Sequence, residues 1–107
     1  GGSPDEVLFT PAEKDQVATS AVEAEYAHVS TFIRELCVEA ALASTARSKR
    51  TDRQLLQAAA GACDMKLGQW MRTVVLAGIK YQEEEVATPL PIHMREAAKW
   101  FRRRTRG

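Results

Sequence analysis

The chain has 107 residues, of which 45% are hydrophobic and 27% are charged, so it has room for one globular domain of ordinary composition. It contains no apolar run near the roughly 20 residues that a membrane-spanning helix needs, which argues against an integral membrane protein. Its two cysteines, Cys37 and Cys63, belong to no Cys/His cluster, so the sequence predicts no metal, no cofactor and two reduced thiols.

The net charge of +1 conceals a division of charge along the chain. Residues 1–44 hold two basic and eight acidic side chains, a net charge of −6, whereas residues 45–107 hold thirteen basic and six acidic ones, a net charge of +7. Because a surface of one sign attracts the opposite charge, this segregation indicates that the second region faces a polyanion.

The N-terminal part predicts a disordered segment, a short strand and the start of a helix. Residues 1–6 are assigned to the disordered segment, and residues 7–10 form a β-prone run. Thr10, Pro11 and Glu13 then match a helix start, with Thr as N-cap and Glu at the third position. Thr10 has two possible roles, as a cap or as a contact to DNA bases, and the cap is preferred.

Helical periodicity continues along most of the remaining chain. Apolar residues recur at intervals of three and four over residues 17–24 and 29–40, which predicts two amphipathic helices separated by a polar turn. A small and basic stretch follows at residues 45–50. Two further helices are predicted, one containing residues 55–62 and capped by Thr51 or Asp52, and one containing residues 67–79.

The two helical pairs come into phase when the sequence is shifted by 38 residues. At this offset Val17 meets Leu55, and the triplet at residues 32–34 (Phe-Ile-Arg) meets the triplet at residues 70–72 (Trp-Met-Arg). The shared phase predicts two copies of one supersecondary unit. The arginines of the two triplets, Arg34 and Arg72, are expected to pair with carboxylates at helix ends, with phosphate contact as the alternative.

The sequence changes character after residue 82. Pro89 and Pro91 break the helical pattern, and a basic segment follows in which apolar residues again lie at helical spacing. Residues 83–107 are therefore predicted to form a C-terminal extension with one short basic helix. Its accessory basic residues are expected to contact the DNA backbone, an acidic partner or only solvent, and they are Arg102, Arg103 and Arg104.

The first unit resembles the ribbon-helix-helix family of MetJ and Arc. The resemblance is carried by residues 7–13 and by Val29-Ser30-Thr31-Phe32-Ile33-Arg34, which open the second helix. A second copy matches over residues 55–79, although residues 45–48 lack a β-branched run. The resemblance implies a mainly α fold in which unit 1 (7–43) and unit 2 (44–82) form a pseudo-dimer with a short antiparallel two-stranded ribbon. This tandem form is similar to the single-chain T-DNA transfer enhancers of Agrobacterium plasmids.

The same resemblance implies a ribbon that enters the major groove of B-DNA. Alternation along a strand turns one face towards the base edges, so either Leu8 or both Val7 and Phe9 face the groove. The implied base-contact residues are Arg47, Lys49, Thr45, Val7 and Phe9. Phosphate contacts are expected mainly at the start of each second helix, where free amides and the helix dipole attract anions, from His28, Ser30, Thr31, Arg50, Lys66, Gly68 and Gln69.

The expected function is that of a sequence-preferring double-stranded DNA-binding accessory protein that promotes plasmid or T-DNA processing and transfer. Other DNA-transfer (relaxosome) proteins are further expected partners. Two alternatives stay open: a ribbon-helix-helix transcriptional repressor, and a helical interaction module with a basic tail. No arrangement of catalytic side chains is present, and His28 and His93 lie in different segments, so an enzyme is not expected. The expected molecule is a monomer in the bacterial cytoplasm, without membrane contact.

Overall fold

The computed structural model describes residues 9–81 and 91–106, and within them it contains five α-helices and no strand. The helices are α1 (Pro11–Glu23), α2 (Val29–Leu42), α3 (Asp52–Ala62), α4 (Leu67–Lys80) and α5 (Ile92–Arg106). The prediction of a mainly α protein is confirmed. None of these five helices is long and apolar enough to cross a membrane.

The first helix of each helical pair begins at a threonine that caps it. The Thr10 hydroxyl accepts a hydrogen bond from the Glu13 amide at 3.2 Å, and the Glu13 carboxylate accepts one from the Thr10 amide at 2.9 Å. Thr51 and Gln54 repeat this arrangement with the same two distances, 3.2 and 2.9 Å. Both are capping boxes, which satisfy amides that the first helical turn leaves unpaired. The preferred role of Thr10 as a cap is confirmed.

Within each pair, the two helices are joined by a tight turn with one residue in the left-handed conformation. Glu25 has a φ of 66°, and Asp64 has a φ of 56°. The amide that follows Glu25 donates to the Ala21 carbonyl at 2.9 Å, and the amide that follows Asp64 donates to the Ala60 carbonyl at 3.0 Å. Such bonds satisfy carbonyls that the last helical turn leaves free. The two helical hairpins, α1–α2 and α3–α4, therefore share one turn geometry.

The spacing of the repeat changes at this turn. Asp64 follows Glu25 by 39 positions, whereas Lys66, the N-cap of α4, follows His28, the N-cap of α2, by 38 positions. The first turn therefore contains one residue more than the second.

Burial patterns agree with this change of spacing. Phe32 and Trp70 are both fully buried, and they occupy the same position in α2 and α4, as predicted. In the first helices the turn geometry aligns Val17 with Leu56 rather than with the predicted Leu55, and all three side chains are buried.

The hairpins pack crosswise, so that α1 contacts both α2 and α4, and α3 contacts the same two helices. An ion pair accompanies each crossing. Arg72 donates from Nε to Glu13 Oε1 at 3.2 Å, and Arg34 Nε lies 3.9 Å from Asp52 Oδ2. Each arginine thus reaches a carboxylate in the first turn of a helix from the other hairpin, where the helix dipole favours negative charge. The expected pairing of these arginines with helix-end carboxylates is confirmed.

Helix α5 completes the core by packing on both α2 and α4. Ala97 and Phe101 are fully buried, and Trp100 is 5% exposed. The closest approach is at Gly78 of α4, where a Cβ atom would lie only 3.3 Å from the Ala97 Cβ. The expected short helix of a C-terminal extension is therefore a 15-residue element whose apolar face belongs to the core.

His93 is expected to make the stability of the fold depend on pH. It is buried in the first turn of α5 beside Trp70, with ring centroids 6.0 Å apart, and this burial lowers the pKa of His93 below its usual 6.5. The unfolded chain then binds the proton more readily, so the free energy of unfolding is expected to fall as the pH drops through about 6.5. Urea unfolding of the wild type and of His93→Gln, at about pH 7.5 and about pH 5.5, checks this.

The glutamine variant is expected to lose a clear part of this pH dependence. Replacement of the exposed His28 by glutamine serves as the control and is expected to leave it unchanged. Equal pH dependence in the wild type and in His93→Gln would contradict the assignment.

The predicted antiparallel ribbon is wrong: residues 9–81 and 91–106 contain no strand. At the expected second strand, the Thr45 amide donates to the Ala41 carbonyl at 2.9 Å, and Ser48 adopts a left-handed φ of 52°. Local hydrogen bonds and a left-handed residue bend the backbone, so this segment cannot form a strand ladder. The disordered segment assigned to residues 1–6, and residues 7–8 of the expected first strand, lie outside the described residues.

Candidate nucleic-acid interface

The loop between α2 and α3 fixes its cationic side chains by internal hydrogen bonds. Arg47 Nη2 lies 2.8 Å from Asp52 Oδ1, and Arg47 Nη1 donates to the Arg50 carbonyl at 3.3 Å. Arg50 Nη1 donates in turn to the Ala46 carbonyl at 2.8 Å. The basic stretch is therefore a compact turn. Both arginines keep part of their surface open to solvent.

Near the end of α5, Arg104 stacks on two aromatic rings. Its Cζ atom lies 5.6 Å from the ring centroid of Tyr26 and 5.2 Å from that of Trp100. Both distances are within the range of cation–π attraction. The Trp100 ring in turn lies 6.1 Å from the ring of Phe32, which is fully buried. The guanidinium therefore rests on a platform that belongs to the core.

Tyr26 contributes to this platform as a neutral ring. Burial, and next the neighbouring Glu35 carboxylate, raise the pKa of Tyr26 to about 12. The buried hydroxyl has no partner with full hydrogen-bond geometry in the described part of the chain. What Tyr26 offers its neighbours is thus the face of the ring.

A groove of about 240 Å³ joins the loop to α5. Arg47 and Arg104 both line it, together with three carboxylates and two apolar side chains, which are Glu35, Glu39, Asp52, Val38 and Trp100. We use the name basic corner for the cations of residues 47–53 and 102–104, namely Arg47, Lys49, Arg50, Arg53, Arg102, Arg103 and Arg104. Two segments that are about 50 residues apart in sequence thus meet at one groove, through Arg47 and Arg104.

The start of α2 lies beside the basic corner, because Tyr26 precedes the N-cap His28 by two residues. Neither His28 nor Lys66, the N-cap of α4, forms a capping hydrogen bond with its side chain. The first amides of both helices are therefore uncapped donors, which attract anions. At α2, the described contacts bring one arginine near this end of the helix, because Arg104 lies over the ring of Tyr26.

The structure divides the predicted phosphate contacts at the helix starts into two groups, while Arg50 lies in the loop between α2 and α3. Those at α2, His28, Ser30 and Thr31, lie between Tyr26 and Phe32, which contact Arg104 and Phe101 of α5. Those at α4, Lys66, Gly68 and Gln69, lie near the beginning of α5, since Trp70 contacts His93. Gly68 is buried, whereas Lys66 and Gln69 are exposed.

The predicted base contacts are also dispersed. Lys49 is exposed at the tip of the loop, whereas Thr45 is half-buried. Phe9 is half-buried and packs against the hydrophobic core. Val7 lies outside the described residues. Of the predicted base contacts, Arg47 and Lys49 thus belong to the basic corner.

Sequence reasoning missed Tyr26 and Trp100 as parts of the site. A signal for Trp100 was present, because Trp100 and Arg104 are four residues apart and therefore neighbours on one helix face. Tyr26 has no such signal, since it reaches Arg104 only through the packing of α5 on α2.

The groove presents the guanidinium groups of Arg47 and Arg104 beside three carboxylates. Among residues 9–81 and 91–106, no group of three His, Cys, Asp or Glu side chains is placed to hold a metal ion. Burial raises the pKa of the Cys37 thiol far above its usual value, which makes it a poor nucleophile. No protein-family model, no curated protein and no solved structure matches this chain.

Proposed function

We propose that this protein binds double-stranded DNA through contacts between the basic corner and the phosphate backbone. The observation that carries the proposal is that Arg47 and Arg104, from two distant segments, line one groove beside the start of α2. Binding of such cations to DNA is favourable, because each contact with a phosphate releases condensed counterions.

The outer face of α5 extends this surface. The helix carries six basic residues and one acidic residue, a net charge of +5. Because its apolar side is buried, Arg95, Lys99 and Arg103 remain exposed at intervals of four residues, about 6 Å apart along the helix axis. A helix that is anchored in the core holds these charges in place before DNA arrives, which lowers the entropy lost on binding.

Double-stranded DNA fits the surface better than a single strand does. Proteins that bind single strands stack the bases on open aromatic rings. In the basic corner, Trp100 and Phe101 are buried, and Arg104 stacks against the exposed part of the platform. The basic corner is therefore suited to contacts with the DNA backbone and not to stacking of bases.

Phosphate contacts position a protein on DNA but carry little sequence information. Since residues 45–48 form a turn, no ribbon in the major groove is part of the proposal. Weak sequence preference is expected. Such binding to DNA suits an accessory protein of plasmid or T-DNA transfer, as the sequence resemblance implies. It suits a transcriptional repressor equally well.

We place the protein in the bacterial cytoplasm, where the free thiols of Cys37 and Cys63 stay reduced. A monomer is proposed, because both hairpins and α5 close one core within a single chain.

Replacement of both Lys49 and Arg103 by glutamine is expected to weaken binding to a mixed-sequence duplex about tenfold at low salt. Both side chains are exposed, and neither forms a hydrogen bond or ion pair with residues 9–81 or 91–105, so the effect isolates their charge. The slope of log K against log salt is expected to decrease by about two, since each phosphate contact contributes about 0.9. Fluorescence anisotropy over a salt series measures both quantities.

The matched control replaces Lys14 in α1 and Lys80 at the end of α4 by glutamine. It removes the same amount of positive charge from another part of the surface. This control is expected to change the affinity by less than about twofold. Equal weakening by the two double variants would show attraction by net charge alone, without a localised surface. A wild-type chain that does not bind duplex DNA at low salt overturns the proposal.

A further inference from the structure

We infer that Arg104 is a preorganised binding site for one phosphate group of the DNA backbone, with Tyr26 and Trp100 as positioning residues. The inference rests on the proposed function and adds the side chain that grips the backbone and the way in which it is held.

The geometry of the two rings restricts the guanidinium. Their centroids lie 6.1 Å apart with an angle of 35° between the ring planes, and Arg104 Cζ lies within 5.6 Å of both centroids. A long side chain that already rests on two faces loses less freedom when it binds a ligand. Lysine does not reproduce this arrangement, because its ammonium lacks the planar surface of a guanidinium.

Within residues 9–81 and 91–105, the donors of Arg104 are also unused. The guanidinium of Arg47 already forms an ion pair with Asp52 and donates a hydrogen bond to the Arg50 carbonyl. By contrast, Arg104 forms no hydrogen bond or ion pair with residues 9–81 or 91–105, although Glu35 and Glu39 line the same groove. A guanidinium has five N–H donors in a plane, and two of them match a pair of phosphate oxygens.

The carboxylates of the groove differ in how strongly they offset the positive charge of Arg104. Asp52 is shared by Arg34 and Arg47, at 3.9 and 2.8 Å. Glu39 is exposed and makes no ion pair within the described residues, so its charge opposes an incoming phosphate. Removal of the Glu39 charge should therefore strengthen binding, an effect opposite in sign to the loss of Arg104.

The test measures binding of the full chain to a fluorescent mixed-sequence duplex of about 20 base pairs at low salt. Arg104→Lys is expected to weaken binding about fivefold although the charge is kept, and Arg104→Gln about tenfold. The control Lys14→Arg, which also exchanges the two cations but lies in α1 outside the basic corner, is expected to stay within about twofold of the wild type. Glu39→Gln is expected to bind about twofold more tightly.

Variants of Tyr26 test the positioning role. Tyr26→Leu is expected to weaken binding about threefold, whereas Tyr26→Phe, which keeps the ring, is expected to bind like the wild type. Thermal unfolding of each variant shows that it is folded. Loss of binding in a folded Tyr26→Phe variant overturns the role of the ring.

The inference and the proposed function fail in different ways. If Arg104→Lys binds like the wild type, while the Lys49/Arg103 double glutamine variant is weakened, the Arg104 site is overturned and the proposed function stands. If the wild-type chain does not bind the duplex, both are overturned.

Discussion

Replacement of Phe101 by alanine is expected to lower the free energy of unfolding by about 3–5 kcal/mol. Phe101 is fully buried, and its ring lies 5.6 Å from that of Phe32 between α5 and α2. The substitution removes this contact and leaves a cavity in the core. Since domains of this size have a total stability of about 5–15 kcal/mol, the loss is a large share of it. Urea denaturation followed by circular dichroism measures the change.

Phe101→Leu is the control, because it retains most of the apolar volume and is expected to lower the stability by only about 1–2 kcal/mol. Thr105→Ala, one turn later on the same helix, tests whether any change in α5 has this effect. A loss below about 1 kcal/mol for the alanine variant would mean that α5 is an appendage rather than part of the core.

Replacement of Gly78 by leucine is expected to destabilise the protein by about 2 kcal/mol or more through overpacking. A Cβ at this position would lie 3.3 Å from the Ala97 Cβ and 3.5 Å from Leu36 Cδ1. The remaining three carbons of leucine therefore have no space unless α5 moves away from α4. Because α5 carries Arg104, the same variant is expected to weaken duplex binding.

Gly61 provides the matched comparison. It lies exposed in α3, and a Cβ at this position would meet no heavy atom of the described residues within 4 Å. Gly61→Leu is expected to be neutral or to stabilise the protein slightly, since leucine favours the helical conformation more than glycine does. If both leucine variants unfold at the same urea concentration as the wild type, the close contact of α4 with α5 is refuted.

Local sequence signals predicted the helices well. The capping box at Thr10 and Glu13 involves residues three positions apart, so the sequence contains all of its parts. The equivalence of Phe32 and Trp70 was also visible, because the burial of each follows from helical periodicity within one segment.

The prediction of a ribbon was wrong for a physical reason that is partly visible in the sequence. Residues 45–48 contain only one β-branched residue, Thr45, and the strand was expected from the family resemblance instead. In the structure, Arg47 and Arg50 use backbone carbonyls of their own loop as hydrogen-bond acceptors, which favours a turn.

The candidate site was predictable only in part. Arg47 and the arginines at 102–104 were identified by their charge, but their meeting at one groove depends on how α5 crosses α2. Non-local packing of this kind leaves no periodic trace in either segment. The stacking of Arg104 on Tyr26 belongs to the same class, because 78 positions separate the two residues.

The crosswise packing of the hairpins has a consequence at high protein concentration. Two chains could exchange their α1–α2 hairpins through the connection at residues 43–51 and regain every interface, the pair between Arg72 and Glu13 included, in a domain-swapped dimer. Opening requires α5 to detach from α2 or from α4, since it packs on both. The exchange of hairpins should therefore be slow. Detachment of α5 is the kinetic barrier that keeps both hairpins of a chain packed against each other.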